Sequence, residues 1–275
     1  MEIIIPCYRD TSRLAMCIEG LARQVPPLQE SVSRVHFVCD GGDRAFQWII
    51  HGMIAGRFCE SFHYLEPETE LRREGAAFNL ALHYCVDDRV LFLSDDMVCL
   101  PDVVAAHAAQ AQADNSVALM GVRWHLPIET IKSLDPQNWT YEQLQQLVAR
   151  PEWRLNEKDK GFVLGAKLGG GVFLCCHASV STEAVKAIGG FDERFAGSWA
   201  GDQELGRRLY RSGITLVARP DLKAYHLDHV KTWGAPVQAS RVELLLAEGV
   251  KRATQLRNRG GIPTLPLGEQ PIWNC

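Results

Sequence analysis

Two neighbouring carboxylates, Asp95 and Asp96, follow an apolar run that ends at Leu93. Adjacent carboxylates repel each other and are costly to remove from water, and a bound cation relieves both problems. A divalent ion held by one carboxylate together with substrate phosphate oxygens is a common use of such a pair. The alternative is an acidic cluster at the N-terminus of a helix, which the helix dipole favours. The pair is therefore a candidate metal site.

Two further acids lie beside glycines, at Asp40 and Asp202. Asp40 begins an Asp-Gly-Gly-Asp segment, whose glycines let the backbone approach a ligand closely. Asp40 would accept hydrogen bonds from a base or a ribose. Asp202 lies at the predicted start of a helix, whose dipole keeps it ionised and able to deprotonate an acceptor hydroxyl. A plain turn and a helix cap are the structural alternatives.

His226 and His229 lie in a Tyr-His-Leu-Asp-His segment after a short apolar run. A histidine in such a place is often structural. A neutral imidazole becomes a plausible metal ligand when a carboxylate holds a cation nearby. Of the two histidines, we expect His226 to be the ligand.

The elements that must position these residues alternate between strands and helices. Apolar runs predict strands over residues 2–5, 34–39, 61–65 and 89–93, with helices between them. This order predicts an α/β fold with a mainly parallel sheet covered by helices on both faces. Ligands bind at the carboxyl ends of the strands in such sheets, so the acids at 40, 95 and 96 are expected to converge.

The pattern changes after residue 122, where aromatic side chains lie among polar ones. An apolar run occupies 172–176. We predict a strand at 215–218, helices at 182–188, 202–211 and 239–256, and a proline-containing tail from residue 260. Tryptophan faces suit apolar ligands, with core packing as the alternative.

Composition narrows the class of protein and its surroundings. The 275 residues carry a formal net charge of −4, which argues against a general nucleic-acid binder. The nine cysteines are odd in number and include no C-x-x-C, which indicates a reducing compartment rather than a disulfide framework. No signal peptide or membrane-spanning run is evident. We expect a cytoplasmic protein, with contact to the inner membrane face or homodimer formation as open alternatives.

These motifs occur in an order that resembles the family 2 glycosyltransferases, and more loosely the polypeptide N-acetylgalactosaminyltransferases and chondroitin polymerase. The matching segments are Ile-Ile-Ile-Pro-Cys-Tyr-Arg-Asp from Ile3, Val-Cys-Asp-Gly-Gly-Asp from Val38, Arg-Glu-Gly-Ala-Ala-Phe-Asn from Arg73, Leu-Phe-Leu-Ser-Asp-Asp from Leu91, Gly-Gly-Phe-Asp-Glu from Gly189 and Trp-Ala-Gly-Asp-Gln-Glu-Leu from Trp199. Together they span about residues 2 to 230.

The resemblance implies a GT-A fold over residues 1–235, divided at residue 122 into a nucleotide-sugar-binding half and an acceptor-binding, catalytic half. A helix and tail would follow at 236–275. It also implies transfer of a sugar, with inversion, from a nucleotide-diphosphate sugar. A UDP-sugar is the first choice of donor, and the acceptor would be a glycan, a lipid, a protein or a small molecule.

The resemblance further assigns roles by position. Asp202 would be the base, while Asp96 and His226 would hold Mn²⁺ or Mg²⁺. The residues that would bind the sugar nucleotide are Pro6, Tyr8, Asp40, Arg73, Asn79 and Asp95. Because tryptophan faces suit sugar rings, we expect Trp124, Trp199 and Gly170 to line the acceptor site.

Several positions depart from the family pattern. Ser94 stands where the first Asp of Asp-x-Asp is usual, and Gly201 stands for the Glu before the base. Cys39 and Phe78 replace a further acid and an arginine. Because a hydroxyl carries no charge, Ser94 should weaken metal binding. A degenerate sugar-nucleotide-binding module is one alternative, and a nucleotidyltransferase is another, although the loop at Tyr8 lacks its usual Gly-rich, basic pattern.

Overall fold

The computed structural model describes residues 1–8, 10–41, 44–65, 72–152, 167–168, 170–197, 200–229 and 247–248. The predicted helix at 239–256, apart from residues 247–248, lies outside the described residues, as does the tail from residue 260. The described strands are β1 (Glu2–Cys7), β2 (Arg34–Asp40), β3 (Glu60–Leu65), β4 (Arg89–Leu93), β5 (Met97–Cys99), β6 (Val117–Leu126), β7 (Arg150–Pro151), β8 (Lys167–Leu168), β9 (His177–Ser181) and β10 (Thr215–Leu227). The helices are α1 (Thr11–Ala22), α2 (Arg44–Ile54), α3 (Glu74–Tyr84), α4 (Val103–Ala113), α5 (Ile128–Ile131), α6 (Tyr141–Gln146), α7 (Thr182–Ala187) and α8 (Gly201–Arg211).

The described strands form one sheet, whose main path runs β3-β2-β1-β4-β9-β6-β10-β5. Strands β1 to β4 are parallel, and Ile3 lies opposite both Val35 and Leu91. Beyond β4 the sheet is mixed, because β9 runs antiparallel to both β4 and β6, whereas β6 and β10 are parallel. The predicted α/β fold is confirmed, and its parallel part is the N-terminal half.

Helices cover both faces of this sheet, as the alternating pattern predicted. One apolar layer contains residues of α3, α7 and α8, such as Phe78 and Leu205. The other contains residues of α1, α2 and α4, such as Leu14 and Ile50. Burying each such side chain stabilises the fold by roughly 1.5–3 kcal/mol. None of the helices in the described ranges is long and apolar enough to cross a membrane.

The apolar run at residues 172–176 does not form a strand, and the strand lies one segment later, at β9. Its sequence, His-Ala-Ser-Val-Ser, alternates with polar residues although every position is buried. Its central serine is satisfied from other elements. Ser179 Oγ accepts a hydrogen bond from Arg89 Nε (3.0 Å) and lies 2.8 Å from Nδ1 of His107. The apolar run before β9 instead begins in a 3-10 turn and ends in a second turn.

Strand β10 extends well past the predicted end at Ala218. A shift in its register against β6 occurs between Ala218 and Lys223, after which the pairing resumes through Leu227. The local sequence hides this continuation because Arg219, Pro220 and Asp221 interrupt the apolar pattern. The extension brings His226 into the sheet.

A buried ion pair lies within α8, and its arginine joins this helix to the end of α7. Arg208 Nε donates to Glu204 Oε1 (2.6 Å) within α8, and Arg208 Nη1 donates to the carbonyl of Ile188 (2.9 Å). Both charged side chains are buried, with exposed fractions of 1% and 0%. Removing one partner of such a pair leaves a buried charge behind and is strongly destabilising.

Replacing Arg208 with Met should therefore lower the free energy of unfolding by about 3–5 kcal/mol, measured by urea denaturation. Arg211→Met is the matched control, because Arg211 is exposed in the last turn of the same helix. We expect that control to change stability by less than about 0.5 kcal/mol. The double variant Glu204→Met/Arg208→Met should recover much of the loss, and a double variant as unstable as Arg208→Met would contradict the ion-pair explanation.

Candidate active site

The ends of β1 and β2 and the turn after β4 meet at one edge of the sheet. The backbone N–H of Tyr8 donates to Asp95 Oδ2 (3.0 Å), which joins the end of β1 to the β4–β5 turn. Asp40, the last residue of β2, is buried and accepts hydrogen bonds from the backbone N–H and from Nε of Arg73, the latter at 3.0 Å. Arg73 Nη2 also donates to the carbonyl of Leu65 (3.1 Å). The structure therefore brings these predicted donor-binding residues together.

Arg72 lies among the acids that end these strands. Burial disfavours its charge, but the carboxylates of Glu74, Asp95, Asp96 and Asp40 outweigh this effect and raise its pKa above the usual value. Its Nε is buried and has no hydrogen-bond partner among the described residues. Sequence analysis missed this role, because nothing in the local pattern distinguishes Arg72 from an ordinary surface arginine.

Asp96 lies beside both histidines of the Tyr-His-Leu-Asp-His segment. Its Oδ2 is 3.4 Å from His226 Nε2 and 3.1 Å from His229 Nε2. The antiparallel pairing of β10 with β5 places His226 opposite Met97, the residue after Asp96. Sequence analysis expected His226 alone, so His229 is an addition to the predicted pair.

These groups fit a divalent cation. One ligand atom from each of Asp96, His226 and His229 lies within 4.8 Å of the others. Asp96 Oδ1 is buried and makes no hydrogen bond within the described part of the chain. A buried carboxylate oxygen without a donor is costly unless a cation binds it. One carboxylate with two imidazoles suits a first-row transition metal better than Mg²⁺, which prefers oxygen ligands.

The pKa values of the cluster reflect its crowded charges. Burial raises the pKa of Asp95 to about 6, with Arg72 opposing the shift and the charge of Asp96 adding to it. Burial also disfavours ionisation of Asp96, but His226 and His229 outweigh it and hold the pKa of Asp96 well below its usual range. Burial lowers the pKa of His226, yet Asp96 and other partners raise it to about 9. A cation must therefore compete with protons for His226.

Arg123 on β6 is influenced by the charges of both Asp96 and Asp202. Burial disfavours the Arg123 charge, but Cys176 and the carboxylates of Glu152, Asp96 and Asp202 raise its pKa above the usual value. Its Nη2 lies 3.6 Å from Glu152 Oε1, while its Nε is buried and has no hydrogen-bond partner in the described ranges. The charges of both Asp96, in the cation cluster, and Asp202, the predicted base, thus act on Arg123.

Asp202 lies in the first turn of α8 and lines a cleft of about 520 Å³. Its Oδ1 accepts a hydrogen bond from the backbone N–H of Gln203 (2.7 Å). Arg72, Arg73 and Glu193 line the same cleft. Burial raises the pKa of Glu193. The predicted base thus lines the same cleft as Arg73, which binds Asp40 at the end of β2.

Gly170, expected to line the acceptor site, instead packs against the backbone of α8. A Cβ atom on Gly170 would lie 2.4 Å from Arg207 Cα, and one on Gly206 would lie 2.2 Å from Phe173 Cβ and 2.4 Å from the Gly170 carbonyl oxygen. Such distances are far shorter than van der Waals contact. Gly170 therefore allows a close approach between two backbones, and this approach positions the helix that carries Asp202.

Asn79 and Pro6, predicted to bind the sugar nucleotide, are both buried in the fold. Asn79 is fully buried, and its Nδ2 donates to the Phe191 carbonyl (3.0 Å) and to Glu193 Oε1 (2.8 Å). Its Oδ1 accepts from the backbone N–H of Phe191 (2.8 Å). Pro6 is buried inside β1, opposite Val38. Asn79 therefore fixes the loop of Glu193 and Pro6 packs in the strand, and contact of these two side chains with a nucleotide stays a prediction.

Trp124, one of the two predicted acceptor tryptophans, does not line this cleft. Trp124 precedes His125 on β6, so its side chain points to the opposite face of the sheet from His125 and the paired His226. It lines a separate cavity of about 310 Å³, where Lys223 Nζ lies 5.4 Å from the centre of its ring. Trp199 lies outside the described residues.

The α/β sheet, the acid-lined strand ends and the adjoining cleft define the class of nucleotide-sugar transferases with a GT-A fold. The sequence matches the family model described as Glycosyl transferase family 2 over residues 2–179. The chain belongs to glycosyl transferase family 2 and is a glycosyltransferase. No curated protein matches it in sequence.

Solved glycosyltransferase structures share the fold. Staphylococcus aureus TarS 1–349 in complex with UDP-GlcNAc has a TM-score of 0.63 and 17% identity, with 99% of this chain and 78% of that chain covered. The Pyrobaculum calidifontis mannosyltransferase PcManGT with GDP-Man and Mn²⁺ has a TM-score of 0.56 and 17% identity, with 99% of this chain and 67% of that chain covered. GalNAc-T7 with UDP, GalNAc and Mn²⁺ has a TM-score of 0.62 and 10% identity, with 96% of this chain and 51% of that chain covered. The chain therefore spans about half of GalNAc-T7, and these low identities support the fold alone.

The three-ligand cluster predicts that His229 matters for cation binding as much as His226. We expect Asp96→Asn, His226→Ala and His229→Ala each to weaken Mn²⁺ binding by at least about tenfold, since losing even an outer-shell partner of a metal typically costs that much. Titration of Mn²⁺ followed by the electron paramagnetic resonance signal of the free ion measures this. His83→Ala is the matched control, because His83 is exposed near the end of α3. Unchanged affinity in His229→Ala would reduce the ligand set to Asp96 and His226.

Proposed function

We propose that this chain transfers a hexosyl or N-acetylhexosaminyl group from a UDP-sugar to an acceptor nucleophile, with metal assistance and inversion at the anomeric carbon. The observation that carries the proposal is the buried Asp96 carboxylate with its two adjacent imidazoles. The charges of Asp96 and of Asp202, which lines the cleft, both act on Arg123. The bound UDP-GlcNAc of TarS and UDP of GalNAc-T7 support the choice of donor. The same proposal divides the GT-A domain at residue 122 into a nucleotide-sugar-binding half and an acceptor-binding, catalytic half.

The strand ends would hold the nucleotide part of the donor. Asp40 would accept hydrogen bonds from the base or ribose, since its orientation is fixed by Arg73. Asp95, fixed by the N–H of Tyr8, would accept from a ribose or sugar hydroxyl. Arg72 would place a positive charge at the diphosphate, because it lies among the acids at the strand ends, including Asp95 and Asp96.

Asp96, His226 and His229 would hold Mn²⁺ or Mg²⁺ together with diphosphate oxygens, and their imidazoles favour Mn²⁺. When bound, such an ion neutralises the charge that develops on the leaving diphosphate. The bound Mn²⁺ in PcManGT and GalNAc-T7 supports this part of the proposal. Arg72 and Arg123 add fixed positive charge near the same point, where a protein dipole or cation stabilises the transition state most effectively.

Asp202 would act as the general base. Its position in the first turn of α8 favours the ionised form, because the positive end of the helix dipole lies there. It would take the proton of the acceptor hydroxyl as the oxygen attacks the anomeric carbon from the face opposite the diphosphate. A single displacement inverts the anomeric centre. Glycan, lipid, protein and small-molecule acceptors are all compatible with this chemistry.

Mn²⁺-dependent hydrolysis of a panel of UDP- and GDP-sugars tests the proposal. We expect wild-type protein to hydrolyse one donor slowly without acceptor, and Asp202→Asn to reduce that turnover by roughly 10²–10⁴-fold, the usual contribution of a general base. Donor binding, measured by calorimetry, should be unchanged, because Asp202 is not assigned to the nucleotide. Asp102→Asn, exposed at the start of α4, is the matched control.

Full activity of Asp202→Asn would remove it as the base. Ser94 and Gly201, where the family usually has acids, favour a second candidate, a sugar-nucleotide-binding module without catalysis. Wild-type protein that binds UDP but hydrolyses no donor would support that candidate instead.

A further inference from the structure

We infer that Asp228 is a positioning residue that fixes the ring orientation and tautomer of His226, and thereby prepares the cation cluster. The inference rests on the proposed function, because it assigns a task toward the cation that Asp96, His226 and His229 would hold. Asp228 itself is absent from that ligand set, since its carboxylate contacts the far side of the His226 ring.

The geometry around Asp228 is short and convergent. Its Oδ1 lies 2.8 Å from Nδ1 of His226 and 2.6 Å from Nδ1 of His125, and its Oδ2 lies 3.4 Å from Nη2 of Arg150. A carboxylate only accepts hydrogen bonds, so both Nδ1 atoms must donate to it. His226 then presents Nε2 to Asp96, the nitrogen through which it would bind a cation.

The strands set this arrangement before any ligand binds. Parallel pairing places His226 of β10 beside His125 of β6, with ring centroids 4.8 Å apart and planes at 60°. The backbone N–H of Asp228 donates to the Leu126 carbonyl (3.0 Å), which anchors the residue at the end of β6. Arg150 comes from β7, where it pairs with His125. Supporting groups held by strands position a site more accurately than groups on loops.

A carboxylate behind a metal-binding imidazole fixes its tautomer and makes the ligand nitrogen more basic. Without Asp228, the Nδ1 atom of His226 loses its fixed acceptor and the ring is free to rotate or change tautomer. The fold depends less on this carboxylate, because Asp228 is itself 24% exposed, so that water can replace it as an acceptor, and its Arg150 partner is 62% exposed. Loss of Asp228 should therefore weaken cation binding much more than it weakens folding.

The test is titration of the full chain with Mn²⁺ alone, followed by the electron paramagnetic resonance signal of the free ion. We expect Asp228→Ala to raise the dissociation constant by roughly 10–100-fold, the usual effect of removing such a partner. Asp228→Asn keeps an oxygen that accepts from Nδ1, so it should raise the constant less. Asp221→Asn is the matched control on the same strand, because Asp221 is exposed and pairs with Arg219.

A second measurement separates positioning from general loss of structure. In ¹⁵N-labelled protein loaded with diamagnetic Zn²⁺, the wild-type His226 ring should carry its proton on Nδ1. Asp228→Ala should lose this single pattern while its melting temperature without metal stays close to the wild-type value. If Asp228→Ala does not fold, Asp228→Asn carries both measurements.

The possible results distinguish the inference from the function on which it rests. Asp228→Ala that binds Mn²⁺ like wild type, while Asp96→Asn does not, would overturn the positioning role alone. A fall in stoichiometry from two ions to one in Asp228→Ala would also overturn it, because His125, His226 and Asp228 would then be ligands of a second ion. Wild-type protein whose Mn²⁺ binding is absent, or is unaffected by Asp96→Asn, would remove the proposed cation site itself.

Discussion

Burial of carboxylates at the carboxyl edge of the sheet is the constraint on which the rest of the site depends. Ionised carboxylates are expensive to bury, so each must meet a cation, a proton or several hydrogen-bond donors. Asp40 meets Arg73, Asp95 meets the Tyr8 N–H and Arg72, and Asp96 meets two imidazoles. The elements that supply these partners, among them β10 and the start of α3, are held at the edge by the same charges.

Sequence patterns predicted the parallel half of this fold well, because its information is local. Apolar runs end in Asp40 and Asp95, and parallel strands necessarily bring such ends together. The unpredicted parts depend on distant partners. Strand β9 contains buried serines that read as polar until Arg89, ninety positions away from Ser179, is seen to satisfy one of them. Arg72, Arg123 and His229 likewise take their roles from charges on other elements, which local patterns do not reveal.

Residues predicted to bind a ligand also hold the fold in place. Asn79, assigned to the nucleotide by motif position, fixes the loop that carries Phe191 and Glu193, and Gly170, expected in the acceptor site, packs against α8. The motif preserves the positions of Glu193 and Asp202, and it does so through backbone contacts. A motif therefore identifies a site more reliably than it identifies which members touch the substrate.

The contact between Gly170 and Gly206 limits how this enzyme could be redesigned. Because neither backbone leaves room for a Cβ atom, α8 cannot be shifted by trading a larger side chain on one side for a smaller one on the other. The depth of Asp202, the proposed base, in the cleft is thus nearly invariant. New specificities at this cleft would have to arise from residues outside α8, such as Phe195, leaving the helix as a fixed reference.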